Sequence, residues 1–339
     1  MSSATERPLR LEAAVEDWPL AEIIRITGRT FSSSTVVHVR VSAGGSAGHG
    51  EGSGVYYKGD DVAHILRSIE SVRPRLEAGI SRADLQTLLP AGGARNALDC
   101  ALWDLEAQLT GVPVWQRAGL AEPGPLITAF TLSAEAPEAM ARRALTFPAP
   151  RAVKLKLLGD GQDAHRVLAV RQALPEVWLG VDANQGFTPA SLATLLPTLL
   201  QADVQLVEQP LPVGQEAALT GLRFPIPLAA DESVQGLADV AALVGRFQVV
   251  NIKLDKCGGL TEALAMADLA AQSGLKVMVG NMTGTALSMA PAYLVGQRCS
   301  VVDLDGPYFL AQDRVPAVSY SEGMMHCPED VWGSDRTMR

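Results

Sequence analysis

AVKLKL (152–157), VWLGVD (177–182), VQLVE (204–208), PLAAD (227–231) and QVVNIK (248–253) are five apolar runs, each with a charge at or beside its C-terminal end. Those charges are Lys156, Asp182, Glu208, Asp231 and Lys253, and they follow one another at gaps of 22 to 26 positions. Such a gap holds one strand, one helix and two loops. In a (β/α)8 barrel the strand ends meet around a single pocket at the C-terminal face, so the spacing predicts that three acids and two bases converge there.

Outward from this stretch the rhythm continues. Further candidate strands at 126–132, 276–280 and 299–303 bring the total to eight, separated by amphipathic stretches such as 163–174 and 261–273. Thr188-Pro189 supplies a helix cap followed by proline at the first helical position. Runs as continuously apolar as VWLGV suit strands buried on both faces.

Before residue 125 the pattern differs. Val37, Val39 and Val41 alternate with His38 and Arg40, which predicts an antiparallel strand with one solvated side. Residues 61–76 and 94–110 read as helices, the second with a stripe of Leu98, Leu102, Leu105 and Leu109 closed by Gly111. The glycine-rich segment from Gly44 to Gly54 lacks phosphate-loop spacing and is expected to be a mobile loop. The fold class expected is therefore α/β, a (β/α)8-type barrel over 123–309 with an N-terminal α+β capping domain over 1–122. Residues from about 310 to 339 are expected to complete the cap.

Composition excludes several functions. A net charge of −9 argues against nucleic acid and anionic membranes, and no apolar run approaches the length of a membrane span. Cys100, Cys257, Cys299 and Cys327 form no CxxC pair, and the five histidines include no i,i+4 pair, so a zinc helix is absent. A cytoplasmic enzyme is the expectation.

Three carboxylates without His or Cys favour a hard ion, Mg²⁺ over Zn²⁺. Asn184 could lend a neutral oxygen beside that ion or cap the next helix. Lys154 and Lys156 share one face of their strand. Inside a barrel such lysines need anions, and crowding among cations is expected to lower their pKa towards a value useful to a base. Lys256 reads as a loop charge.

The motifs VKLKLL, VDAN, VEQPL, ADES and NIKLDKCGGLTEAL, with GGARNALDCALWDLEAQ (92–108) ahead of them, resemble the enolase superfamily in its muconate-lactonizing branch over nearly the full length. The resemblance implies one Mg²⁺ per subunit on Asp182, Glu208 and Asp231. It also implies an enediolate formed when a base removes the proton α to a carboxylate, with Lys156, Lys253 and Lys154 catalytic. VVDLDGP (301–307) is similar to the DxD segment of dipeptide epimerases, where Asp303 and Asp305 would hold the substrate's ammonium. The L-Ala-D/L-Glu type is the nearest in pattern, which implies cell-wall peptide metabolism.

Met282 and Thr283, in VGNMTGT (279–285), are expected to shape the side-chain pocket, although this segment departs from the cysteine that relatives often carry there. Arg29, or Arg25, in RITGRTF (25–31) is expected to meet a glutamate side chain. The partners expected are a small dipeptide and further copies of the chain in a homo-oligomer. An N-acylamino acid racemase, a cycloisomerase or a non-catalytic binding barrel are the competing readings; the first two leave Asp303 and Asp305 without a task.

Overall fold

The computed structural model describes residues 8–26 and 29–334, without the side chains of 24–30. The cap begins with an antiparallel sheet of β1 (Arg10–Ile26), β2 (Arg29–Ala43) and β3 (Ser46–Gly52), in that order. Val37, Val39 and Val41 are fully buried on the expected face of β2. Against it pack α1 (Val62–Glu77) and α3 (Gly93–Thr110), and α2 (Arg82–Leu88) packs on α3. Asp61 caps α1, Ser81 and Asp84 form a capping box on α2, and left-handed Gly111 closes α3.

The glycine-rich segment is not a loop over most of its length. Ser46–Gly52 is strand β3, paired with β2 from Val37↔Gly52 to Ala43↔Ser46. Gly48, Gly50 and Gly52 share one face, and α3 lies directly on it. A Cβ at Gly50 would stand 2.0 Å from the Ala97 carbonyl oxygen, and one at Gly48 would stand 2.1 Å from that of Ala101. The glycines are there because helix and strand backbones touch, a reason that an apolar-period reading cannot detect.

After α4 (Val114–Arg117), the expected strand at 126–132 divides. β4 (Leu126–Ile127) stays outside the barrel, and β5 (Ala129–Leu132) enters it. The barrel continues through α5 (Pro137–Ala144), β6 (Ala152–Lys156), α6 (Asp163–Ala173), β7 (Trp178–Asp182), α7 (Pro189–Gln201), β8 (Val204–Glu208), β9 (Leu228–Ala230) and β10 (Val249–Ile252). It ends with α8 (Leu254–Cys257), α9 (Leu260–Gln272), β11 (Lys276–Val279), α10 (Ala286–Gly296) and β12 (Val301–Val302). Short 3₁₀ turns replace helices after β8 and β9. Thr188 caps α7 with Pro189 in its first turn.

The eight strands β5 to β12 lie side by side in chain order, all parallel, and no backbone ladder joins β12 to β5. Side chains bridge that seam. The Leu304 N–H donates to Thr128 Oγ1 (2.9 Å), and the Thr131 N–H donates to Asp305 Oδ2 (2.6 Å).

The C-terminal hairpin of β13 (Ser319–Ser321) and β14 (Met324–His326) pairs with β4. Beyond it, Trp332 Nε1 donates to the His49 carbonyl (2.9 Å) and the Gly333 N–H to Asp104 Oδ1 (2.9 Å), so the chain returns to the cap. Buried polar groups of α3 face the barrel: Asp99 accepts from the Thr261 N–H and hydroxyl, and Asn96 donates to Asp255. That explains why α3 is buried on nearly all sides although it reads as a one-sided stripe. Among the described residues no helix is long and apolar enough to cross a membrane.

Candidate active site

Parallel pairing sets Lys156 opposite Asp182 and Asp182 opposite Glu208, so the strand-end charges share one level of the barrel. Alternation sends Val153 and Leu155 into the surrounding core, and Lys154 and Lys156 into the pocket. There Lys156 Nζ meets Asp182 Oδ2 at 2.5 Å, and Lys154 Nζ meets Glu208 Oε2 at 3.1 Å. On the far side Lys253 Nζ meets Asp231 Oδ2 at 2.7 Å. The five residues found by spacing therefore come together. The cap closes the pocket with Phe31, Ser34, Ser53, Tyr56 and Tyr57.

Two sequence expectations change here. Lys256 is not a loop charge. The single turn of α8 carries it back beneath Lys253, where it is almost completely buried and donates to Asp231 Oδ1 (2.5 Å) and to the carbonyls of Asp231 and Asn251. A residue three after Lys253, with glycines following at Gly258 and Gly259, was the available signal of a helical turn. The pKa values of Lys154 and Lys253 are the second change. Burial pulls Lys253 down, but the carboxylates of Asp231 and Glu208 outweigh it and the net direction is up. Lys154 likewise rises, with burial opposed by Asp303, Glu208 and Asp182. Contact with carboxylates, not crowding with cations, dominates as the side chains stand.

Asn184 does not cap α7, because Thr188 does. Its backbone N–H donates to Asp182 Oδ1 (2.8 Å), and its Oδ1 is buried without a partner. Glu232 was missed by sequence reasoning: it follows Asp231 beyond the end of β9, where strand alternation no longer applies. It lines the pocket, accepts from Asn184 Nδ2 at 3.4 Å and keeps Oε2 unpartnered. The cap tyrosines were missed too, since no motif marks Tyr56 and Tyr57.

Asp303 and Asp305 both line the pocket, as do Met282 and Thr283. Asp303 Oδ2 accepts from Lys154 Nζ (2.5 Å), and Asp305 Oδ2 accepts from the Thr131 N–H. The Thr283 carbonyl accepts from the hydroxyls of Ser34 and Ser53, tying the cap to the β11 loop. The side chains of Arg25 and Arg29 lie outside the described residues.

Six carboxylates (Asp182, Glu208, Asp231, Glu232, Asp303 and Asp305) meet four lysines (Lys154, Lys156, Lys253 and Lys256) at this mouth. The excess negative charge has a visible effect. Burial, then Asp182, pushes Glu208 up to about 7; burial, then Asp231, pushes Glu232 up to about 7. Among the described residues no three acids surround a common point closely enough to hold an ion as they stand, because each of the strand-end acids is turned to an ammonium group. The chemistry nevertheless fits a hard divalent cation. The donors are all oxygens, the charge surplus matches one such ion, and the buried Oδ1 atoms of Asn184 and Asn251 have no partner.

The chain belongs to the mandelate racemase/muconate lactonizing enzyme family of the enolase superfamily. Residues 10–119 match the mandelate racemase/muconate lactonizing enzyme N-terminal domain, and 132–331 match the enolase C-terminal domain-like family. Within that class the chain is an isomerase of the racemase and epimerase kind, as its relatives are. It is 40% identical over 312 residues to the L-Ala-D/L-Glu epimerase of Escherichia coli K12, covering 92% of this chain and 97% of the relative. It is 42% identical over 253 residues to the N-acetyl-D-glutamate racemase of a Pseudoalteromonas species, covering 74% and 79%.

Among solved structures, an enolase family member from Agrobacterium tumefaciens with homology to dipeptide epimerases, bound to sodium and L-Ala-L-Glu, superposes with a TM-score of 0.93 at 37% identity, covering 96% of this chain and 100% of that one. A dipeptide epimerase from Methylococcus capsulatus, complexed with Mg and L-Arg-D-Lys, gives 0.87 at 30% identity, covering 94% and 96%.

Proposed function

We propose that this protein is an Mg²⁺-dependent dipeptide epimerase that inverts the α-carbon of the C-terminal residue, with L-Ala-L-Glu and L-Ala-D-Glu as its pair of substrates. The observation that carries the reading is that Lys156 and Lys253 reach one pocket from strands four apart in the sheet, β6 and β10. Inversion needs a base on one face of the α-carbon and an acid on the other. Lys156 takes the proton from one stereoisomer, Lys253 returns one across the plane, and the roles exchange for the reverse reaction.

Asp182, Glu208 and Asp231 would hold the cation, which when bound would neutralise charge collecting on the substrate's carboxylate as the α-proton leaves. Lys154 supplies further positive charge to the same carboxylate. Arg29 or Arg25 would meet the glutamate side chain. The division we propose is a cap of residues 1–122, completed by about 310–339, over a catalytic barrel of 123–309.

A second reading, an N-acylamino acid racemase, is favoured by the likeness to the N-acetyl-D-glutamate racemase. It shares the metal and lysine chemistry but leaves the DxD segment without a substrate ammonium to bind. Proton NMR of a dipeptide and N-acylamino acid library in D₂O with Mg²⁺ tests both. Loss of the α-proton signal and epimerisation fastest with L-Ala-L-Glu support the proposal. Faster turnover of N-acetylglutamate than of any dipeptide would overturn it.

A further inference from the structure

Resting on the dipeptide reading, we infer that Arg314, which stands outside the pocket, is a positioning residue for side-chain selectivity: it fixes the spacing between the β1–β2 hairpin and the loop after β11, two walls of the pocket. The hairpin contributes Leu20 and Phe31 to the lining, and the loop contributes Asn281, Met282 and Thr283. One guanidinium joins both. Its Nη2 donates to Glu51 Oε2 (3.0 Å) and to Glu16, and its Nε donates to Thr285 Oγ1 (2.7 Å). The guanidinium carbon also lies 5.1 Å from the centre of the Trp18 ring. Glu16 and Trp18 belong to β1, Glu51 belongs to β3, and Thr285 caps α10 at the end of the loop.

On the loop side the contact runs through Glu51. Its carboxylate is buried and accepts from the Thr285 N–H (2.8 Å) and hydroxyl (2.5 Å). The loop passes so close that a Cβ at Gly284 would stand 2.8 Å from Glu51 Oε1. Burial pushes this carboxyl up and Arg314 pulls it back down, so the guanidinium is what allows a buried acid to hold the loop. On the hairpin side, the segment that carries Arg314 grips β1 where it reaches the pocket. The Ala311 N–H donates to the Pro19 carbonyl (2.8 Å), and Leu20 pairs with Leu310. The groups bonded to Arg314 are Glu16, Glu51 and Thr285, not the lysines or the strand-end acids. A change at Arg314 should therefore shift where the substrate's side chain lies and leave proton transfer in place.

The test compares L-Ala-L-Glu with L-Ala-L-Ala, which lacks the long acidic side chain, by steady-state epimerisation with Mg²⁺ on wild type and Arg314→Met, with a thermal melt of each preparation. Arg314→Met should raise the KM of L-Ala-L-Glu about 10- to 30-fold and keep kcat within about threefold, because a displaced wall weakens binding without touching the bases. For L-Ala-L-Ala, kcat/KM should stay within about threefold, so the preference for the glutamyl substrate falls. Adding Glu51→Gln to Arg314→Met should raise KM little further, since both residues act through one contact; fully additive effects would overturn the route through Glu51. Should Arg314→Met fail to fold because Glu51 is left buried without its cation, the double variant carries neither charge and makes the same comparison. An unchanged preference between the two substrates, whatever happens to kcat or to the melting temperature, would overturn the role of Arg314 and leave it a structural clasp. If wild-type protein epimerises neither dipeptide, the dipeptide reading fails, while the same comparison on N-acetylglutamate and N-acetylalanine still tests Arg314.

Discussion

The floor and the mouth of the barrel are built from the same strands, two residues apart, and they are held together by opposite means. On β8, Leu206 belongs to the floor and Glu208 to the mouth; on β9 and the residue after it, Ala229 and Asp231; on β10 and its extension, Val249, then Asn251 and Lys253. The floor is a small apolar layer of Leu206, Ala229, Val249 and Met278, with Trp178 and Val301 packed against it. The mouth is just as buried: Glu208 is fully inaccessible and Asp231 is 2% exposed. Burial therefore does not separate them. Apolar contact closes the floor, whereas the mouth tolerates burial only because each strand-end acid meets an ammonium or, as proposed, a metal. Gly280 marks the boundary, since a Cβ there would stand 2.9 Å from Lys253 Cε and crowd the lysine. The difference teaches that substitutions in the mouth should change chemistry and those in the floor should change stability.

The most severe way to break that contrast is at the lysines. Lys156→Ala and Lys253→Ala should each lower epimerisation about 10³- to 10⁴-fold. In D₂O each variant should still exchange the α-proton of one stereoisomer, and the two should show opposite preferences. Near-normal epimerisation by either would end the two-base mechanism. The complementary floor substitution, Leu206→Ala, should cost about 2–5 kcal/mol of unfolding free energy by leaving a cavity, and should leave kcat/KM within about threefold. Chemical denaturation and steady-state kinetics on the same preparation check both halves.

A cation sharpens the comparison next. Because it would bind only the folded mouth, Mg²⁺ at about 100 times its Kd should stabilise wild type by about 2.7 kcal/mol. Leu206→Ala should gain the same increment, and Asp231→Asn should gain almost none. Thermal melts with and without chelator read this directly. An equal gain in all three proteins would show that the ion binds elsewhere.

How far the sequence revealed this molecule follows the same division. The strands were legible because a charge at the end of an apolar run is costly unless it faces a pocket, so Asp182, Glu208 and Asp231 pointed to the fold and to the end of the barrel where they converge. Lys256 and Glu232 were not, because they lie past the strand ends, where the backbone turns and the period of two lapses. β3 was hidden for another reason: Gly48, Gly50 and Gly52 pack by having no side chain, and no hydrophobic pattern records that. Tyr56 and Tyr57 reach the pocket only through the docking of the cap, a contact between parts of the chain nearly 200 residues apart that local spacing does not encode.

The joint between cap and barrel lies between the two extremes, since beside carboxylates paired with arginine, such as Glu262 with Arg95, it buries others whose hydrogen bonds, among the described residues, come from uncharged donors. Asp255 is the clearest case. Its Oδ1 accepts from the backbone N–H groups of Ser53 (2.9 Å) and Gly54 (3.2 Å) and from Asn96 Nδ2 (3.1 Å), all in the cap. Burial pushes its pKa up to about 6, against the bonds from Ser53 and Asn96 that pull it down. An acid raised in the folded state binds its proton more tightly there than in the unfolded chain, whose value lies near 3.9. Its contribution to stability is thus complete below about pH 4, falls as the pH rises towards 6, and stays low above that. Asp255→Asn keeps an acceptor at Oδ1 and removes the ionisation. The variant should therefore lose less stability than wild type between pH 4.5 and 7.5, by on the order of 1–2 kcal/mol, as urea denaturation at the two pH values would show. An unchanged pH slope would mean that Asp255 remains ionised beneath the cap, and that the three donors around it hold its charge as well as a lysine does in the mouth.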